Sequence, residues 1–459
     1  MSSYTFDITA YGAVGDGKTS STKAIAAAVA ACKEAGGGMI YVPVGTFLTG
    51  AIQLFSNMEL HLETGATLLF SNDMEEYPPV MSRWEGVDRM VHMSCVYAEN
   101  GRNISVTGRG TLDGQGKFWW DVLKQDREYP DFPKPHIKYP RPKFISFDNC
   151  EDVYIEKVRI INSPSWTINP IRCHNVHVEG VTIVNPYDSP NTDGIDPDSC
   201  RNMHISNCHI DVGDDCIAIK AGTEQAKENI PTENITITNC VMAHGHGGVV
   251  LGSEMSGNIR NVTVSNCVFQ DTDRGIRLKT RRGRGGVIEN LLVSNIMMDR
   301  VLCPTVVNMY YGCGPKGGDK VVWDKNPQPI TEITPAVRHL KFSNITATDV
   351  RASAGFFYGL AEMFVDDVSF DSISVTMSDE LVPGEPDMLA GMQPVAGQGF
   401  YINNVSNFSF NRVSVRNYLG SAFRVGKSEA VEFTACSASS KRSDGEMIEH
   451  NAPDITNAQ

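Results

Sequence analysis

One short pattern recurs along this chain and constrains its fold more than anything else in it. It reads Asn or Asp, aliphatic, any residue, aliphatic, two more residues, an apolar residue or Cys, any residue, aliphatic. Clear copies begin at Asp152, Asn175, Asn202, Asn234, Asn261 and Asn290, at steps of 23 to 32 residues. Weaker copies begin at His339, Asp367 and Asn407, and earlier ones at Asn57 and Asn103. Apolar and polar residues alternate within each copy, which is the signature of a strand with one buried face. A strand unit recurring every 20–50 residues or so marks a solenoid. The Leu-x-x-Leu-x-Leu signature of a leucine-rich repeat is absent, and a propeller needs about four strands in a longer repeat. A parallel β-helix fits, each coil stacking on the last at the ~4.8 Å strand spacing.

Asn at a recurring turn position predicts a ladder, each side chain bonding the next coil's backbone. The sequons at Asn103, Asn234, Asn261, Asn344 and Asn404 belong to this repeat and are not read as glycosylation sites. Cys208, Cys240 and Cys267 occupy one inward position in three successive copies. Twelve cysteines in 459 residues are no disulfide framework; they read as buried thiols in a reducing compartment.

The Ala-rich stretch Thr22–Ala35, stopped by Gly36, Gly37 and Gly38, predicts a helix that caps the open end of the solenoid. The expectation is therefore a single all-β domain over 1–459. Residues 1–45 would hold the first strand and the cap helix, and 451–459 a polar, disordered tail. Gly114–Pro142, Pro304–Pro335 and Glu380–Gln398 interrupt the repeat and read as long loops, where function tends to sit. Gly12–Thr19 matches a P-loop, but no aliphatic strand ending in Asp follows to hold magnesium, so it reads as a glycine-rich turn into the helix. No run of 18 apolar residues exists, and the N-terminus lacks a basic and apolar leader. A cytoplasmic location and no membrane partner are expected. A net charge of −14 also disfavours nucleic acid. Nothing in the sequence signals an oligomeric state.

Against that acidic background, Arg274, Arg277, Lys279, Arg281, Arg282 and Arg284 fall within 11 residues. Arg281, Arg282 and Arg284 suit a solvated face as well as a site. Arg277 and Lys279 alternate around Leu278, so a strand points both to one side. They form the last of four motifs in order: Asn191-Thr192-Asp193-Gly194, Gly213-Asp214-Asp215, Gly245-His246-Gly247 and Arg277-Leu278-Lys279. The gaps are 21 residues from Asp193 to Asp214, 32 to His246 and 31 to Arg277. One coil per gap stacks the motifs on one wall and places an acid, a base and an anion clamp in one groove. Glycoside hydrolysis needs two carboxyl roles, one to protonate the leaving oxygen and one to activate water. Packing three carboxylates together raises at least one pKa, which keeps an acid protonated beside ionised bases. Gly194 and Gly213 would leave room for a sugar ring. Calcium is a rival reading of the acidic cluster, through a lyase, but His246 is a poor calcium ligand. His244 with His246 lacks a third zinc ligand at a recognisable spacing, and His244 reads as structural.

These four motifs resemble those of glycoside hydrolase family 28, the polygalacturonases, with Leu278 where Ile is usual. The resemblance runs from about Phe6 to at least Tyr311. It implies a right-handed parallel β-helix and an inverting mechanism on α-1,4-galacturonosyl linkages. It implies Asp214 as general acid, Asp193 and Asp215 as the pair that positions and deprotonates water, and His246 as support for the acid. Asn191 would contact substrate, and Arg277 and Lys279 would bind its carboxylate. Inversion places acid and base roughly 6.5–9.5 Å apart. Ser253–Ser256, Lys220 and Arg83–Gly86 resemble the bacterial exo-acting branch, so Lys220 and Arg83 are candidates for further carboxylate contacts. Tyr310 or Tyr311, about a coil beyond the clamp, is a candidate to stack on a sugar or a core aromatic. The partner implied is a galacturonate-containing oligosaccharide, and no cofactor is expected, since water is the nucleophile. Other pectic linkages (rhamnogalacturonan, xylogalacturonan) and a non-catalytic carbohydrate-binding β-helix stay open as alternatives.

Overall fold

The fold is known from a computed structural model that describes residues 4–128, 137–314, 316–442 and 445–455. The chain divides into two compact units, Met1–Asp215 and Cys216–Gln459.

Every head of the predicted repeat, from Asn57 to Asn407, has a φ of 50 to 62°. That is the left-handed region, which Asn and Asp tolerate best among residues with a side chain. A residue there turns the chain into a strand, and the alternation that follows buries one face. The pattern is thus a turn signal fused to a strand signal.

In the first unit the repeat builds parallel stacks. Gly38–Val42, Met58–Leu62, Arg102–Gly108, Glu151–Glu156, His174–Glu179 and Arg201–Ser206 pair in turn, with Val153 opposite Val176 and Val176 opposite Met203. A second stack runs Gly45–Thr49, Ala66–Phe70, Thr111–Asp113, Arg159–Ile161, Thr182–Val184 and His209–Val212. A third face runs through Ile52–Gln53, Val96–Glu99 and Ile145–Asp148, then bridges to Ile168 and Ile195. Helix α1, Thr22–Glu34, lies at the predicted cap and buries Ile25, Ala28, Val29 and Cys32, one stripe at helical spacing. Gly36 follows it at φ +86°, ending the helix where a side chain would be strained. The predicted P-loop-like turn is partly strand, Asp16–Ser20; the Asp16 carboxylate accepts from the Lys18 and Thr19 amides, each at 2.8 Å.

In the second unit, Thr232–Thr238, Ile259–Gln270, Val287–Asp299, Ala336–Val350, Val365–Met377 and Val405–Val425 pair in parallel. A second face runs Ile217–Ile219, Val249–Gly252, Arg274–Lys279, Cys303–Asn308, Ser353–Tyr358 and Gln398–Asn403. Its core holds a phenylalanine stack: Phe342 on Phe370 at 4.7 Å, Phe370 on Phe410 at 5.4 Å, and Phe410 on Phe433 at 5.2 Å. Each such pair contributes about 0.5–1.5 kcal/mol beyond burial.

The asparagine ladder exists, but its bonds differ from the expectation. Asn290 Nδ2 donates to Asn261 Oδ1 at 3.0 Å, and Asn261 Nδ2 to Asn234 Oδ1 at 3.0 Å. The link is side chain to side chain, because equal φ values stack like groups directly above one another. A second ladder through Asn266, Asn295 and Asn344 has the same form. All twelve cysteines are free thiols, and Cys208, Cys240 and Cys267 are buried as expected.

The interruptions hold more structure than loops. Helix α2, Lys117–Glu128, occupies the first, the rest of which lies partly outside the described residues. Cys303–Asn308 in the second is a coil strand, followed by the short helix α3, Lys320–Trp323. Of the expected tail, residues 451–455 are described and are tied down. The Ala452 amide donates to the Val425 carbonyl at 3.0 Å, and Tyr358 Oη donates to the Asp454 carboxylate. Residues 456–459 lie outside the described part.

Candidate active site

In the first unit, coil stacking brings three carboxylates together. The Thr167 amide donates to the Asp193 carbonyl at 2.9 Å, and the Gly194 amide to the Asp215 carbonyl at 3.0 Å. Asp193 and Asp215 therefore stand on neighbouring rungs, which is what the 21-residue gap to the Asp-Asp motif predicted. One oxygen each from Asp193, Asp214 and Asp215 lies within 4.8 Å of the other two. This is about one strand spacing, so adjacent rungs alone account for it. It is shorter than the roughly 6.5–9.5 Å expected between the carboxyl groups of an inverting pair, a separation measured between groups and not between chosen oxygens. Asp193 and Asp215 are buried and Asp214 half-buried. The Asp215 amide donates to Asp214 Oδ1 at 3.0 Å, which fixes the more exposed carboxyl from below. Gly213 does not make room for a sugar: an added Cβ would stand 2.6 Å from the Pro186 and Ser189 carbonyl oxygens. Its role is close packing of the turn.

Asn191, at φ 55°, heads that turn. Its side-chain oxygen accepts from Arg141 Nη2 at 2.9 Å, while Arg141 Nη1 donates to the Pro164 and Pro190 carbonyls at 2.7 and 3.0 Å. Arg141 is a strut for the motif, and sequence reasoning missed it. Arg83 corrects another expectation. It is 2% exposed and donates to Asp198 and Ser199, each at 2.8 Å, while Lys143 Nζ donates to its carbonyl at 2.6 Å. Arg83 is thus held in an internal ion pair with Asp198.

In the second unit, Val249–Gly252 pairs with Arg274–Lys279, placing Val250 beside Arg277 and Gly252 beside Lys279. The Gly-His-Gly motif leads into the first strand and Arg-Leu-Lys lies on the second, one coil apart as predicted. Leu278 points into the core. His246 Nδ1 lies 2.9 Å from Asp273 Oδ2. Burial works to raise the Asp273 carboxyl, but the His246 bond and Arg274 outweigh it and hold it below the usual range.

Arg277 is 1% exposed. Its Nε donates to Asp387 Oδ1 at 2.9 Å and its Nη2 to the same oxygen, while Asn308 Nδ2 donates to Asp387 Oδ2 at 2.9 Å. The expected carboxylate clamp thus already holds a carboxylate of the protein. Burial alone would raise the Asp387 carboxyl, yet Arg277, then Arg274, hold it below its ordinary value. The Lys279 ammonium and the Arg277 guanidinium lie 5.3 and 5.6 Å from the Tyr311 ring centre. Lys220 Nζ is 3.6 Å from Glu254. Burial opposes ionisation of Glu254, but Lys220, Arg284 and Lys279 together pull its pKa down to about 2. Lys220 thus serves this internal carboxylate. Tyr310 is fully buried, its ring centre 5.2 Å from Arg282 and 3.6 Å from Lys325, which makes it the core aromatic of the two expectations. Nor do Arg281, Arg282 and Arg284 form a solvated face. They are buried and paired with Glu224 and Glu362.

Residues 32–383 match the profile of glycosyl hydrolases family 28. This chain belongs to that family. All four motifs fall inside the matched stretch, whereas Asp387 lies just beyond it. Among relatives, a probable polygalacturonase of Vitis vinifera is 37% identical over 300 residues, covering 63% of this chain and 59% of its own length. This chain therefore spans about three fifths of that relative. An exopolygalacturonase of Zea mays is 29% identical over 383 residues, covering 81% and 84%. Among solved structures, a hyperthermoactive exopolygalacturonase from Thermotoga maritima superposes with a TM-score of 0.71 at 31% identity, covering 89% of this chain and 91% of that one. The parallel β-helix is thus the fold of this family 28 chain and of that relative.

Proposed function

We propose that this chain hydrolyses α-1,4-galacturonosyl linkages of oligogalacturonides, from a chain end and with inversion. The observation that carries the reading is the trio Asp193, Asp214 and Asp215, whose oxygens converge within 4.8 Å on adjoining rungs. Family membership and the 31% identity to an exopolygalacturonase support the linkage and the exo mode. Asp214, the more exposed carboxyl, protonates the glycosidic oxygen as its bond to the anomeric carbon breaks. Asp193 and Asp215 orient a water and take its proton as its oxygen bonds to the opposite face of that carbon. His246 supports the acid, Asn191 contacts the sugar, and Arg277 and Lys279 supply positive charge for the uronate. Asp387 sets the plane of the Arg277 guanidinium.

The same three carboxylates have the hard-oxygen chemistry of a calcium site, which is the arrangement a lyase would need. Incubation with oligogalacturonate separates the two. Hydrolysis releases reducing ends without the ultraviolet absorption of an unsaturated uronide, and a calcium chelator leaves the rate unchanged. An absorbing product, or loss of activity on chelation, would replace hydrolysis with elimination.

A further inference from the structure

We propose that Asp273 is a positioning residue for His246, fixing which ring nitrogen carries the proton and linking the imidazole to the 380–398 insertion. The inference rests on the catalytic part assigned to His246 above. Asp273 is 27 residues after His246, one coil on, and its amide donates to the Gly245 carbonyl at 2.9 Å, so the two turns are stitched together. Its Oδ2 lies 2.9 Å from His246 Nδ1 and accepts from Arg274 Nη1 at 3.3 Å. A carboxylate only accepts, so Nδ1 is the protonated nitrogen and Nε2 is the acceptor of the neutral ring. The charged groups facing Asp273 are His246 on the preceding coil and Arg274 and Arg277 on the strand that follows it. Arg274 is itself anchored outside the coil: Nε donates to the Pro386 carbonyl at 3.0 Å and Nη2 to the Glu385 carbonyl at 2.7 Å. The connection thus runs from insertion to Arg274, to Asp273, to the ring. The insertion that buries Asp387 also holds the orienter of the imidazole.

An amide in place of Asp273 can donate to Nδ1 and so hold the opposite tautomer, as well as removing a charge. In Asp273→Asn, kcat on a galacturonate hexamer falls about 10- to 100-fold, while KM moves less than about threefold. Asp273→Glu recovers part of the loss. Nitrogen-15 NMR of labelled histidines, with His246→Gln identifying the signal, shows Nδ1–H in the parent. In the Asn variant the protonated nitrogen changes and, with the neighbouring negative charge gone, the ring titrates at lower pH than in the parent. A folded variant with unchanged tautomer and midpoint, or with full kcat, would overturn the proposal. If the parent does not cleave the hexamer, the functional reading fails, and the NMR result still decides the Asp–His pairing.

Discussion

Asp214→Asn loses turnover by about a thousandfold, within the range for removing a general acid, and keeps its affinity for substrate. The exchange is nearly isosteric. The amide oxygen still accepts from the Asp215 amide, the bond that fixes Asp214 at 3.0 Å in the parent, so the turn survives. What is lost is a proton that can be delivered to the leaving oxygen. Asp193 and Asp215 remain to hold water, and one negative charge fewer in the trio weakens repulsion of an anionic sugar. Calorimetric binding of oligogalacturonate is therefore equal to or tighter than in the parent, with kcat collapsed and the thermal midpoint unchanged or raised. A variant with parental kcat would remove Asp214 from the acid role.

Asp387→Ala destabilises the second unit by about 3–5 kcal/mol, the cost of breaking a buried ion pair from one side. Both Arg277 and Asp387 are almost fully buried, and the aspartate takes two nitrogens of the guanidinium and the Asn308 amide. Removing it takes the carboxylate away from a buried cation and from the Asn308 amide, which retains the Met388 carbonyl at 3.2 Å. The double variant Arg277→Met with Asp387→Leu regains most of the stability, because apolar groups of similar volume need no partner, yet it stays inactive. Guanidinium-induced unfolding of Asp387→Ala measures the loss, and the same unfolding of the parent, Arg277→Met, Asp387→Leu and the double variant, read as a double-mutant cycle, measures the coupling. A loss below about 1 kcal/mol in the single variant would place the pair among exposed bridges. The pH dependence has a definite sign. The native Asp387 carboxyl is held below its ordinary value, so the pair's contribution is complete above the usual carboxylate range. It is lost as pH falls through that range towards the native value.

Much of this was legible in the sequence because two physical signals coincide in each repeat. A left-handed turn favours Asn or Asp, and the strand after it alternates apolar and polar. The three converging carboxylates were legible for a related reason: the 21-residue gap is one coil. Asp273 carried the same signal, one coil past His246, and its value shows only once the imidazole is paired. Helix α2 was also readable, with Lys117 and Asp121 paired at helical spacing (2.7 Å) and Trp119, Val122 and Leu123 on one stripe. The prolines that follow it, Pro130, Pro133, Pro135, Pro140 and Pro142, give the whole interruption the composition of a loop. Arg83, Lys220 and Tyr310 show the opposite limit. A charged or aromatic residue near a site has the same letter whether it faces a ligand or an internal partner, and here the partners are Asp198, Glu254 and Lys325. Asp387 sits in a Pro-rich stretch without periodicity, so nothing in the sequence points from it to Arg277.

The central claim, hydrolysis of a galacturonan from its end by a water held between carboxylates, is met most directly by one time course. A defined galacturonate hexamer is incubated with the protein, and both the sizes of the products and their anomeric protons are followed by NMR. The account predicts free galacturonate from the first minutes, released as the β-anomer before it mutarotates. Early dimers and trimers would contradict the exo mode, an initial α-anomer would contradict inversion, and an untouched hexamer would contradict the substrate.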